Sequence, residues 1–125
     1  MRLLLDSHIL FWWATGRLDR LPRSASAAIG TAEDIFISVA TVWELEIKRN
    51  AGRFDIGPLD WAALPKGGMT ILPIEIDDAL AAASLPLVHR DPFDRMIVAQ
   101  AMRRGLTLVT ADGTLAGYGV PILKA

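Results

Sequence analysis

The stretch "RDPFDRMIVAQAMRRGLTLVTAD", residues 90–112, reads as a helix followed by the strand it feeds. Asp91 has the chemistry of an N-cap. Pro92 suits the first helical position, where its missing N–H costs nothing, and Asp94 falls at N3, near the orphan N–H groups and the positive end of the helix dipole. Phe93, Met96, Ile97, Ala101 and Met102 recur at helical spacing, and Arg103, Arg104 and Gly105 close the helix. Residues 106–110 are then a short run of β-forming residues, of the kind buried on both faces of a parallel sheet, ending close to Asp112. Asp94 also shares a face with Ile97, Val98 and Ala101, at i, i+3, i+4 and i+7, so it heads an apolar stripe where a capping acid would sooner face water.

The same grammar runs through the rest of the chain. Leu3, Leu4 and Leu5 form another buried strand ending in an acid, Asp6, with a helix expected over 7–15 and a short one around 24–29. A strand at 35–39 leads into a helix at 41–48. Residues 50–73, with three prolines and four glycines, read as an irregular excursion with one short helix at 59–64. A strand at 71–74, an alanine-rich helix at 77–85 and a last short strand at 120–123 complete the pattern. Strands alternating with helices imply βαβ units: one α/β domain over residues 1–125, with a mostly parallel central sheet of four or five strands and helices on both faces.

At 125 residues the chain can bury a single real core. Its composition is 52% hydrophobic, with mean hydropathy +0.34, yet no run approaches the roughly 18 apolar residues of a membrane span. "MRLLLDSHILFWW" is broken by Asp6 and His8 and does not read as a secretion signal, so a cytoplasmic location is expected. The absence of cysteine excludes disulfides, thiolate metal sites and cysteine nucleophiles; any metal must be held by oxygen or histidine. A net charge of −1 provides no global attraction to nucleic acid, leaving local arrangement to decide.

That local arrangement is acidic. In parallel sheets ligands bind outside the carboxyl ends of the strands. Asp6 and Asp112 follow two strands, Glu44 lies in the helix after a third, and Asp94 opens the helix leading to the 106–110 strand, so all four converge on one rim. Each also has a plain structural reading: Asp6 as a helix cap, Glu44 completing a capping box with Thr41, Asp112 and Gly113 as a turn. Together they would repel one another unless protonated or bridged by a cation. Clustered carboxylates with no obligatory basic partner call for a hard divalent cation, Mg²⁺ or Mn²⁺.

The motifs "LLLDSH", "SVATVWEL", "RDPFDRMIVAQA" and "LVTAD", in that order over nearly the whole chain, resemble those of the PIN-domain ribonucleases, specifically the VapC-like toxins of type II toxin–antitoxin pairs. The resemblance implies a PIN-like three-layer fold and a Mg²⁺- or Mn²⁺-dependent endoribonuclease whose acids are Asp6, Glu44, Asp94 and Asp112. It also implies a homodimer acting on RNA and neutralised by a cognate antitoxin. The chemistry agrees: Asp6, Asp94 and Asp112 are expected as metal ligands, with Glu44 binding a second ion or orienting the attacking water.

Other residues carry weaker expectations. Thr110 can hydrogen-bond a carboxylate or water. His8, two positions past Asp6, is a candidate base or ligand, and Arg90 and Arg95 flank the acids as candidate phosphate contacts. Trp12, Trp13, Trp43 and Trp61 are expected mainly in the core, with one of the Trp12–Trp13 pair at a subunit or antitoxin contact. Two rival functions share the fold pattern. A phosphoacceptor receiver domain wants paired acids after the first strand and a lysine after a late one, but Asp6 is single and the lysines are Lys48, Lys66 and Lys124. A non-catalytic interaction module of the PIN fold would not need all four acids.

Overall fold

The structure, a computed structural model, describes residues 1–53 and 60–125. Among them, β1 (Arg2–Leu5), β2 (Asp34–Ser38), β3 (Met69–Leu72), β4 (Thr107–Thr110) and β5 (Ile122–Lys124) form one sheet in the order β3-β2-β1-β4-β5, with every neighbouring pair parallel. The expected mostly parallel sheet is therefore wholly parallel. Around it lie α1 (Ser7–Ala14), α2 (Arg23–Thr31), α3 (Val39–Asn50), the single turn α4 (Ala63–Lys66), α5 (Ile76–Ser84) and α6 (Pro92–Arg104).

The leucine run of β1 shows why both faces are covered. Side chains alternate across a strand, and Leu3 and Leu5 enter one core with Ile9, Leu10, Ala25, Ile29 and Leu45, whereas Leu4 enters a second with Ile97, Val98, Ala101 and Leu108. Helices α1 and α2 thus cover one face and α6 the other, giving the three layers. Outside α6 lies α5, fixed by Asp78. This fully buried carboxylate accepts hydrogen bonds from Arg103, Arg104 and the Glu75 N–H, and faces Gln100 Nε2 at 3.4 Å.

Helix α6 begins and ends as its sequence requires. Asp91 Oδ1 accepts from the N–H groups of Phe93 at 2.8 Å and Asp94 at 3.3 Å, Pro92 sits in the first turn, and Gly105 closes the helix at φ 63°, a left-handed conformation natural to glycine. The stripe behind Asp94 is buried: Ile97, Val98 and Ala101 are at most 2% exposed.

Several boundaries differ from the sequence expectation. Val39, expected to end β2, starts α3 because the Ser38 side chain caps that helix, accepting from the Ala40 N–H at 3.0 Å. Thr41 is therefore inside α3, and Glu44 is not half of a capping box with it. Strand β3 occupies Met69–Leu72 rather than 71–74, ending before Pro73, which has no N–H for a ladder. The short helix expected over 59–64 lies at Ala63–Lys66, and the beginning of that expectation, Leu59, lies outside the described residues. Two 3₁₀ segments, Leu18–Arg20 and Gly113–Tyr118, were not anticipated.

Candidate active site

The strand order sets where a ligand can sit. From β1 the chain proceeds to β2 and β3 on one side, then crosses back to place β4 and β5 on the other, so the order reverses between β1 and β4. Such a switch point opens a crevice at the carboxyl ends of the two strands. Leu5 pairs with Val109, which brings Asp6 and Thr110 to the rim side by side. The Asp6 N–H continues the ladder to the Val109 carbonyl at 2.9 Å.

Each acid reaches this rim by its own local device. Asp6 caps α1, its Oδ1 accepting from the Ser7 N–H at 2.6 Å, while its Oδ2 accepts from the Thr110 hydroxyl at 2.7 Å; the residue is only 5% exposed. Capping and convergence on the site are compatible roles for one carboxylate. Asp112 likewise caps the 3₁₀ turn after β4, its Oδ1 accepting from the Thr114 N–H at 3.0 Å and the Thr114 hydroxyl at 2.6 Å. Its own N–H donates to Thr110 Oγ1 at 3.0 Å, so Thr110 bridges two of the acids. Glu44 comes from the second turn of α3 and is 7% exposed. Its Oε2 pairs with Lys48 Nζ at 2.9 Å, one turn along, so the acids do have one basic neighbour.

Asp94 is the member on which the rest act. Burial, and then the negative charges of Asp6, Asp91, Glu44 and Asp112, push its carboxyl up to about 8, so it keeps its proton at neutral pH. Asp112 moves the other way: the Thr114 hydroxyl, acting against partial burial and helped by the Thr114 N–H and by His89, holds it below the usual carboxylate range. The two neighbouring acids behave oppositely because Asp94 is the more buried and faces the like charges, whereas Asp112 has donors on its carboxylate.

The remaining sequence candidates divide. His8 is exposed, 5.9 Å from the Trp12 ring, and lines a shallow open cleft with Asp6, Trp12, Ala111 and Asp112. Arg90 is exposed at the start of the turn into α6. Arg95 is committed to the main chain: Nη2 donates to the carbonyls of Ala82 at 2.9 Å and Leu85 at 2.8 Å, and Nη1 to Pro86 at 3.0 Å. Trp12, Trp13 and Trp61 pack partly buried against the core, but Trp43 is 62% exposed, edge-on to Phe93 with ring centres 5.0 Å apart. Core packing thus accounts for three of the four tryptophans.

Two residues at the site escaped the sequence reading. His89 lies with Nε2 3.2 Å from Asp112 Oδ2 and Nδ1 3.6 Å from Asp94 Oδ2. One ligand atom from each of these three residues lies within 4.8 Å of the others, a grouping able to hold a metal ion. Its sequence signal is its place two residues before the N-cap of the helix that carries Asp94. Lys48 stood in the sequence only as one of three lysines, yet its spacing of four from Glu44 is that of a helical ion pair.

A wholly parallel sheet in this order, with four acids gathered at its switch point, makes a doubly wound α/β domain with a candidate cation site. A PIN domain family model matches residues 3–120, and the chain belongs to that family, as the four sequence motifs implied. It is 31% identical over 121 residues to ribonuclease VapC22 of Mycobacterium tuberculosis, an alignment covering 94% of this chain and 92% of that one. Among solved structures it is similar in fold to VapBC2 from Rickettsia felis bound to a DNA fragment from its promoter, with TM-score 0.73 and 15% identity over 99% of this chain and 98% of that one. FitAcB from Neisseria gonorrhoeae gives TM-score 0.70 and 22% identity, over 98% and 96% of the two chains.

Proposed function

We propose that this PIN-domain chain is a Mg²⁺- or Mn²⁺-dependent endoribonuclease, the toxin of a toxin–antitoxin pair, acting on RNA in the cytoplasm as a homodimer and inhibited by a cognate antitoxin. The observation that carries the cation dependence is the gathering of Asp6, Glu44, Asp94 and Asp112 at one rim, where burial and then the charges of the neighbouring acids keep the Asp94 carboxyl protonated at neutral pH. Such a group ionises when a positive charge enters among them. The donor set is carboxylate oxygen, which suits a small hard divalent ion.

In this reading Asp6, Asp94 and Asp112 hold the cation. When bound, it supplies charge neutralisation at the scissile phosphate and acidification of a water. Glu44, with Oε2 committed to Lys48, uses Oε1 to orient the attacking water or to hold a second ion. Thr110 fixes the Asp6 carboxylate, and the buried leucines beneath the rim keep the acids from relaxing apart. The 31% identity to a VapC ribonuclease supports RNA as the substrate and the toxin role. The VapBC fold neighbours support an antitoxin partner.

Two exposed apolar stripes support protein partners. Val39, Trp43 and Ile47 follow one another at intervals of four along α3, as do Ile76 and Leu80 on α5. Contiguous apolar surface of this kind marks an interface. No helix among the described residues is long and apolar enough to cross a membrane.

The test is RNA cleavage by the purified chain in Mn²⁺, in Mg²⁺ and in chelator, beside Asp6→Asn. Cleavage that requires the ion and is lost in Asp6→Asn is expected; a wild-type protein that cuts no RNA in either ion would leave a non-catalytic interaction module. Sedimentation at micromolar concentration that finds only a 13.6 kDa species would remove the homodimer. Sequencing RNA ends after brief induction identifies the substrate.

A further inference from the structure

His89 is held at the rim through both its main chain and its ring. Its main chain is gripped on both polar atoms by the buried Tyr118: the hydroxyl accepts from the His89 N–H at 2.8 Å and donates to its carbonyl at 3.1 Å. The same carbonyl faces Arg95 Nη1 at 3.3 Å, and the rest of that guanidinium fastens residues 82–86, the segment leading up to it. The ring is fixed as well, because the Asp91 N–H donates to Nδ1 at 3.2 Å.

That last bond determines the tautomer. A backbone N–H has no lone pair to offer, so an Nδ1 that accepts from it carries no proton, and the neutral ring must bear its proton on Nε2. Nε2 is the atom 3.2 Å from Asp112 Oδ2. His89 is therefore a hydrogen-bond donor to Asp112, and its 3.6 Å approach to Asp94 through Nδ1 is packing rather than a hydrogen bond. Asp112 is then held at both oxygens, Oδ1 by Thr114 and Oδ2 by His89. Oδ1 is filled by the two Thr114 donors, whereas Oδ2, with His89 as its one donor, retains a lone pair for a ligand.

We infer that His89 is a positioning residue of the nuclease site: locked as an Nε2 donor by Asp91, Tyr118 and Arg95, it orients the Asp112 carboxylate toward a cation shared with Asp94. Hydrogen bonds to ligating carboxylates generally set both their orientation and the ion's affinity. Although His89 lies close enough to Asp94 and Asp112 to be a third ligand, this arrangement gives it a supporting place instead, since Nδ1 accepts from the Asp91 N–H and Nε2 donates to Asp112. This rests on the cation-dependent reading given above.

The test is Mn²⁺ binding to the full chain, measured by calorimetry together with the electron spin echo of the bound ion. Wild type binds Mn²⁺ without the modulation of a directly coordinated nitrogen. His89→Ala weakens binding by roughly 10- to 100-fold, with a chelator melting temperature close to wild type. His89→Gln, whose amide can donate in place of Nε2, recovers most of the affinity, which a purely structural loss would not permit. Equal affinity in wild type and His89→Ala overturns the inference while leaving the cation-dependent nuclease standing. A directly coordinated nitrogen lost in His89→Ala overturns it in favour of a ligand role. Absence of Mn²⁺ binding by wild type overturns the cation-dependent reading and this inference with it.

Discussion

The Thr110 hydroxyl donates to Asp6 Oδ2 at 2.7 Å, joining residues 104 positions apart at the ends of two adjacent strands. Thr110 Oγ1 in turn accepts from the Asp112 N–H, so a single side chain sets the spacing of two acids. Thr110→Val preserves shape and removes both bonds, leaving the buried Asp6 oxygen without its donor. A stability loss of about 1–3 kcal/mol is expected from that desolvated carboxylate, together with a marked fall in RNA cleavage. Thr110→Ser keeps the hydroxyl and should restore both. Chemical denaturation in chelator and cleavage rates in Mn²⁺ check this pair, and full activity in Thr110→Val would reduce Thr110 to an ordinary β-branched strand residue.

Asp94 makes the metal-free protein sensitive to pH in an unusual direction. In the unfolded chain its carboxyl ionises near pH 4, whereas in the folded protein it does so near pH 8. Between these values the native state binds the extra proton, so unfolding becomes easier as pH rises, with a slope of at most about 1.4 kcal/mol per pH unit. The stabilisation is full below about pH 4 and is gone above about 8. Melting temperatures in chelator between pH 4 and 9 should show the decline in wild type and a flatter profile in Asp94→Asn. Identical profiles for the two proteins would mean that neither burial nor the acids around it raise the Asp94 carboxyl.

The same variant separates the helix-starting role of the "DPFD" segment from its chemical role. Asp91 does the capping, with two N–H groups on its Oδ1, and asparagine is an equally good cap. Asp91→Asn should therefore change stability by only a few tenths of a kcal/mol and leave cleavage within a few-fold, since the N–H it offers to His89 belongs to the main chain. Asp94→Asn replaces a carboxyl that is already uncharged at neutral pH, so the metal-free protein should be as stable as wild type there and more stable above about pH 8, where the aspartate ionises among like charges, yet cleave RNA slower by orders of magnitude. An Asp94→Asn protein that still cuts RNA at the wild-type rate would contradict the proposed ligand role.

How far the sequence could be read follows from which interactions are local. The leucine run of β1, the capped and glycine-stopped α6 and the β4 run carry their structure within a few residues, and they appear within one or two residues of where periodicity puts them. Val39 shows the limit: its β-branched side chain favours a strand, but the Ser38 cap turns the chain into α3 one residue earlier. The order of the strands is not written in any one segment, because Leu3 or Ile35 would fit several neighbours equally well. It emerges only when Leu5 pairs with Val109 and Leu4 with Phe36. At the rim, acids at strand ends were visible because the position itself is meaningful. His89 was not, because its importance depends on Tyr118, 29 residues away, and on the guanidinium of Arg95.

Asp78 balances Asp94 from the other end of α6. Its carboxylate is fully buried and carries Arg103, Arg104, Gln100 and the Glu75 N–H. Burial alone would raise its pKa, but the hydrogen bonds from Arg104, the Glu75 N–H, Arg103 and Gln100 outweigh it and hold the group well below the usual range. Its contribution to stability is therefore present above about pH 4 and lost as pH falls further. Asp78→Ala leaves two arginines without their shared partner, and because both reach solvent in part, the loss should be about 3 kcal/mol. With Asp78 stabilising the fold above about pH 4 and Asp94 weakening it between there and about 8, the metal-free protein should be most stable in mildly acidic solution. Saturating Mn²⁺ favours the ionised form of Asp94, so it should move that optimum upward toward neutrality in wild type but not in Asp94→Asn. An optimum in chelator already at pH 8 would place the control of stability elsewhere than in these two carboxylates.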